Sequence, residues 1–252
     1  MNTAEKNTPV TPVNSSNEDA NATTMQVRKR DGSLESVDVN KIVRAVARSG
    51  QGLENIDVLK IATKTIGGLY DGATTKELDN LSIQTSALLI AEEPEYSRLA
   101  ARLLSTYIMK EVENQDIHSF SQSISAGVRH GLISEKVGQF VQTNSRKLND
   151  AMEPSRNELF EYFGLRTVYD RYLLKNPETR EVLEAPQYFF MRVACGLADT
   201  VQEAVEFYNL ISRFEHMPSS PTLFNSGTRH PQMSSCYLLD SPADHLAAIY
   251  NR

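Results

Sequence analysis

Between Asp38 and Phe214 the apolar side chains return every three or four residues, and this period narrows the possible folds more than any other feature. Ile42, Val43 and Val46 carry it behind Asp38, a residue able to cap a helix start, and that run closes near Gly50. A second helix is predicted over 58–69, before the turn Tyr70-Asp71-Gly72. Thr74 with Glu77 has the form of a capping box ahead of Leu78, Leu81, Ile83, Leu88, Leu89 and Ile90. Pro94 is placed to open the next helix, which runs through Leu99, Leu103, Leu104 and Ile108 to about Val112. After Asp116 the period continues in Ile117, Phe120, Ile124 and Val128, then in Ile133, Val137, Phe140 and Val141. An aromatic-rich stretch with Phe160, Tyr162, Phe163, Tyr169 and Tyr172 follows. Two more helices are predicted, one behind Pro186 and one over 204–214. The fold class is mostly α with a small β component.

Strands are predicted at only two places. Val27-Arg28-Lys29-Arg30 and Leu34-Glu35-Ser36-Val37 flank Asp31-Gly32, which reads as a β-hairpin whose glycine takes positive φ. Hairpin and four helices make a unit of roughly 90 residues, the size of an independent domain. From His216 the texture changes to Ser, Pro, Gly and Thr. There the short apolar runs Thr222-Leu223-Phe224 and Cys236-Tyr237-Leu238-Leu239 read as brief strands, and Leu246, Ala247, Ile249 and Tyr250 as the start of a helix. A sheet of so few strands could not cover its own edges, so the sequence is expected to stop inside a domain. Residues 1–24, with almost no large apolar side chains, are expected to form a disordered tail.

Charge and cysteine usage exclude several classes of function. A net charge of −6 from 26 basic and 32 acidic residues gives no general positive field for a nucleic acid, while leaving local basic clusters free for small anions. The two cysteines, Cys195 and Cys236, fall in no metal-ligand spacing, so no metal site is predicted. No signal-like segment and no apolar run of ~20 residues occurs, which points to a cytoplasmic protein away from membranes.

Lys29, Arg30, Lys41 and Lys110 supply positive charge to the hairpin-plus-helices unit, and the Asp31-Gly32 turn would let backbone amides come close to a phosphate. Composition alone favours reading them as solvated surface charges. The segments VRKRDGSLESVDVNKI (27–42), YDGATTKELD (70–79) and YSRLAARLLSTYIMK (96–110), however, resemble the ATP-cone family in order and spacing. The resemblance implies an allosteric ATP/dATP site. By position it would be formed by Val27, Lys29, Arg30, Glu35, Lys41 and Ile42, with Thr75, Asp79 and Lys110. Bacterial members often carry His where this chain has Asp79, which resembles the eukaryotic form.

A lone cysteine at the head of an apolar run, such as Cys236, is more often a packed small hydrophobe than a reactive thiol. The run SSPTLFNSGTRHPQMSSCYLL (219–239) nevertheless resembles the large subunits of class I and class II ribonucleotide reductases. That resemblance implies the first strands of a truncated ten-stranded α/β barrel over 216–252, behind a helical domain over 116–215 and an ATP cone over 25–115. It also implies that Cys236 is one half of a redox-active thiol pair, with Thr222 and Ser235 on the substrate. Asp244, His245 and Leu246 match the start of a specificity site for an effector nucleotide, His245 standing where a small residue is common. YFGLRTVYDRYLL (162–174) and APQYFFMRVACGLA (185–198) resemble the helical domain of class I enzymes, and Cys195 within it reads as a packed core thiol.

The family resemblance carries expectations about partners. The thiyl-radical cysteine, the second reducing cysteine and the carboxy-terminal thiols would lie on a longer or second polypeptide. A small subunit would supply the radical, a second large subunit would form a homodimer, and thioredoxin or glutaredoxin would restore the dithiol. Two alternatives are a non-catalytic regulator built on an ATP cone, which the missing zinc ribbon disfavours, and a cobalamin-dependent class II reductase, which the cone and helical domain disfavour.

Overall fold

The computed structural model describes residues 25–251, so the tail expected over 1–24 lies outside the described residues. Strands β1 (Gln26–Arg28) and β2 (Leu34–Ser36) pair antiparallel, with Val27 opposite Glu35. The turn between them closes through the Gly32 amide onto the Lys29 carbonyl at 3.0 Å, and Gly32 sits at φ +86°, where a side chain would be strained. A second anchorage was not legible in the sequence. The Arg28 amide donates to the Ala73 carbonyl and the Gln26 amide to Asp71 Oδ1, which fastens the hairpin to the turn before the third helix.

Four helices follow, the first three with side-chain caps. Asp38 caps α1 (Val39–Ser49) by accepting from the amides of Asn40 and Lys41, and Asp57 caps α2 (Val58–Gly67). The capping box of Thr74 and Glu77 starts α3 (Thr75–Leu88), and Pro94 precedes α4 (Glu95–Glu113). Next come α5 (Phe120–Arg129), α6 (Glu135–Thr143), α7 (Ser145–Asp150) and α8 (Tyr162–Thr167), the last running into a π-turn over Val168–Tyr172. The mutually packed α9 (Pro186–Leu197) and α10 (Val201–Ser212), then α11 (Ser220–Asn225) and α12 (Leu246–Tyr250), are the last helices of the described residues.

Helix α4 ties the molecule together because it is apolar on two faces. Tyr96 and Leu99 pack with Val46, Ile61 and Leu89 of the preceding helices. Ala101, Leu104, Ile108 and Val112 instead join Phe120, Ile124, Phe189, Phe190 and Val193 in one large cluster. The core is therefore continuous across residue 115. Lys76 of α3 also pairs with Glu181, and Arg102 of α4 with Glu158 at 2.5 Å.

Two strand expectations are corrected. Thr222-Leu223-Phe224 lies inside α11, where the Leu223 amide donates to Ser219 O at 3.1 Å and the Ser226 amide to Thr222 O at 2.9 Å. Pro221 in the first turn favours that helix, and three apolar residues are too few to fix a period of two. Cys236-Tyr237-Leu238-Leu239 pairs with no strand among the described residues, and Leu238 is fully exposed. Outside the hairpin, residues 216–251 contribute one isolated bridge, Thr228 to Ile133.

Candidate functional site

The hairpin, α1, the start of α3 and the end of α4 enclose a cleft of about 550 Å³. Each wall is placed by local chemistry already described. The β1–β2 register points Val27 inward, where it is 8% exposed, and sets Glu35 beside it. The Asp38 cap starts α1 so that Lys41 and Ile42 face the cleft. The capping box places Thr75 and, one turn on, Asp79; Lys110 reaches in from α4. Seven of the nine residues predicted for an effector site thus line one cavity. Lys29 and Arg30 do not line it but pair with Glu35 and Asp79, which do.

Three carboxylates line the cleft: Asp38, which pairs with Arg44 at 3.5 Å, and Glu35 and Asp79, each shared by two cations. Glu35 accepts from Lys29 at 2.5 Å and from Lys41 at closer range. These hydrogen bonds hold the Glu35 carboxyl down at about 2 and push the Lys29 ammonium upward. Asp79 accepts from Lys110 at 2.9 and 3.0 Å and from Arg30 at 3.3 Å. Arg30 Nε is one of two buried side-chain nitrogen or oxygen atoms without a hydrogen-bond partner among the described residues. An unmet buried donor costs about 1–3 kcal/mol, which an anionic oxygen reached by Arg30 would offset. Flexible, paired cations around an apolar floor of Val27, Ile42 and Leu78 are suited to a ligand with a flat apolar part and a multiply charged tail.

Sequence reasoning missed Arg44 and Arg48, which also line the cleft. Their signal was the spacing of Lys41, Arg44 and Arg48, which puts all three on one face of α1. A larger cavity of about 750 Å³ shares Ile42, Asp79 and Lys110 with the first and reaches Arg102, Asn157 and Glu158.

The second predicted group lies along residues 219–246. Thr222 Oγ1 donates to the Met233 carbonyl at 3.4 Å, and Ser235 Oγ lies 3.8 Å from Cys236 Sγ. Cys236 is exposed, whereas Cys195 is buried and its thiol is pushed up to about 12 by desolvation. Asp244 and Leu246 are exposed, and His245 caps α12 by accepting from the Ala248 amide at 3.2 Å through Nδ1. Among the described residues no cluster of His, Cys, Asp or Glu could hold a metal, and no helix is long and apolar enough to cross a membrane.

Comparison with known proteins gives two domain matches. Residues 25–111 match the ATP cone domain, and residues 158–231 match the all-alpha domain of ribonucleotide reductase. The chain is 38% identical over 234 residues to a ribonucleoside-diphosphate reductase large subunit from Caenorhabditis elegans, a match covering 89% of this chain and 29% of that protein. It is 37% identical over 236 residues to large chain 2 of the Saccharomyces cerevisiae enzyme, covering 90% and 27%. With the large subunit from Danio rerio the identity is 36% over 237 residues, covering 90% and 29%. The chain thus spans less than a third of the length of these relatives.

Proposed function

Given that the chain belongs to the ribonucleotide reductase large-subunit family, of which it carries the ATP cone and the all-alpha domain, we propose that the cleft between hairpin and α1 binds ATP and dATP as allosteric effectors. The observation that carries this reading is the convergence of Val27, Glu35, Lys41, Ile42, Thr75, Asp79 and Lys110 on one cavity. The purine would lie against Val27 and Ile42. Its phosphates would draw Lys29, Lys41, Arg30 and Lys110 from their carboxylates, exchanging one charge-assisted bond for another.

Residues 25–115 would be the sensing unit, 116–215 the helical domain and 216–252 the opening of a catalytic barrel. In that barrel Thr222 and Ser235 would hold the substrate, and Cys236 would act with a second thiol from outside this chain. As the ribose 2′-hydroxyl leaves as water, the two thiols give up two protons and two electrons and become a disulfide. Asp244, His245 and Leu246 would begin the specificity-effector site. The assembly would be class I-like, with a radical-supplying small subunit, a second large subunit, and thioredoxin or glutaredoxin as reductant.

Calorimetric titration of the full chain with ATP and dATP tests the effector reading. Saturable heat is expected, and Lys110→Ala should weaken binding by about 1–3 kcal/mol, the loss of one charge-assisted hydrogen bond. No heat at millimolar nucleotide would overturn it.

A further inference from the structure

The cleft and α11 are joined by a chain of polar and aromatic side chains that the effector and substrate readings leave unused. Arg30, paired with Asp79 at the cleft, places its guanidinium 5.6 Å from the centre of the Tyr107 ring on α4. The Tyr107 hydroxyl donates to Glu111 Oε1 at 3.1 Å, and Tyr169 donates to Glu111 Oε2 at 3.2 Å. Glu111 is 4% exposed, a carboxylate buried between two phenols whose rings meet edge to face. Burial first, and the neighbouring Glu111 charge second, push both phenols above their ordinary range, so both remain donors.

Tyr169 belongs to the π-turn Val168–Tyr172, closed by the Leu173 amide on the Val168 carbonyl at 3.1 Å. Such turns are uncommon and concentrate where a helix must aim side chains that a regular helix would not. Here Tyr169 reaches α4, and Tyr172 reaches α11. The Tyr172 ring stacks on Phe224 with centroids 4.4 Å apart and planes 16° apart, and its hydroxyl lies 2.9 Å from Ser220 Oγ. Beyond the far end of α11, buried Arg192 donates to the Ser226 carbonyl at 2.6 Å. Helix α11 is therefore held past its C-terminal end through Ser226, and along its length by Tyr172, which touches both Ser220 and Phe224.

We propose that Glu111, Tyr169 and Tyr172 are positioning residues that couple occupancy of the cleft to the placement of α11, the segment that carries Thr222. The coupling rests on the effector reading above. Arg30 has two alternative partners, Asp79 with the Tyr107 face or a phosphate of the bound nucleotide. When it moves to the phosphate, the Tyr107 ring loses the guanidinium at its face, the phenol–carboxylate set that Tyr107 shares with Glu111 and Tyr169 loosens, and the grip of Tyr172 on α11 weakens. By reciprocity, a ligand that fixes α11 lowers affinity at the cleft by the same factor.

The full chain supplies the test, with ATP as the probe and the hydrogen-bonded amides of Leu223 and Ser226 as reporters in hydrogen exchange. ATP is expected to accelerate their exchange about five-fold or more, the lower end of ordinary coupling between sites. Tyr169→Phe keeps the ring and removes one hydroxyl. It should bind ATP within about threefold of wild type, raise basal exchange at α11, and abolish the response to ATP. Glu111→Gln, which keeps the shape and removes the charge, should blunt the response in the same way. Absence of calorimetric heat would overturn the effector reading and the coupling together. Heat with unchanged or slower exchange would overturn the coupling alone, and an ATP response surviving in Tyr169→Phe would overturn the route through the π-turn.

Discussion

Because Lys29 and Lys41 both donate to Glu35, its carboxyl is held at about 2 in the folded chain, against an ordinary value of 4.5. A depressed folded-state value means that the folded chain binds this proton less readily than the unfolded one. The stabilisation is then complete above 4.5 and is lost as pH falls from there toward 2. Glu35→Gln should therefore flatten the dependence of Tm on pH within that window, as followed by circular dichroism melts, lowering Tm near neutrality and converging on wild type toward pH 2. Identical slopes for the two proteins would show that the lysines do not hold Glu35 in solution. The same residue illustrates what sequence alone could say of the site. The hairpin and the helix after it were readable, and so was the likeness that grouped Glu35 with Lys29 and Lys41. That Glu35 and Asp79 would each be shared by two cations depends on the hairpin register and on the packing of α4 against α3, neither of which is written in a local period.

At the scale of elements, α9 and α11 are locked by a pair that no periodicity announces. Arg192, fully buried, donates to Glu184 through Nε at 2.5 Å and Nη2 at 3.3 Å, while Ser226 Oγ donates back to the Val193 carbonyl at 2.7 Å. Removing one partner strands a buried charge. Glu184→Ala is expected to cost about 3–5 kcal/mol in urea unfolding, whereas Glu184→Leu with Arg192→Leu should cost less than the two single changes added. Strict additivity would mean that the pair does not act as a unit. Gly196 shows why the approach must be this close, since a Cβ there would lie 2.2 Å from the Gly227 nitrogen. Helices α1 to α4 were legible because each start carries Asp, Thr or Pro ahead of a long apolar period. The segment at 222–224 was not, because a three-residue run satisfies either period and the outcome turned on Pro221. The run at 236–239 resembled a strand in composition, but a strand needs a neighbour to receive its amides and carbonyls.

At the scale of the whole molecule, the ATP cone domain and the all-alpha domain are joined by α4, whose Leu104, Ile108 and Val112 belong to a cluster built largely from residues beyond 115, so the two are expected to lose their cores together. Unfolding 25–115 by itself would strip Leu104, Ile108 and Val112 from Phe189, Phe190 and Val193, and would break the hydrogen bond that the Tyr162 amide donates to Ser97 Oγ at 3.1 Å. The chain should therefore melt in one transition rather than two. A nucleotide held only by the folded cleft stabilises that single transition by mass action, about 2.7 kcal/mol at a hundred times Kd. For a domain of this size that shift amounts to roughly 5–10 °C in Tm. Leu104→Ala, which leaves a cavity on the shared face of α4, should lower the same transition by about 2–5 kcal/mol, although Leu104 does not line the cleft. Scanning calorimetry with and without ATP distinguishes a shared core from two adjoining ones. If two peaks appeared and ATP moved only one, the apolar continuity through α4 would be contact without cooperativity, and any coupling between cleft and α11 would have to run through polar contacts such as those of the π-turn.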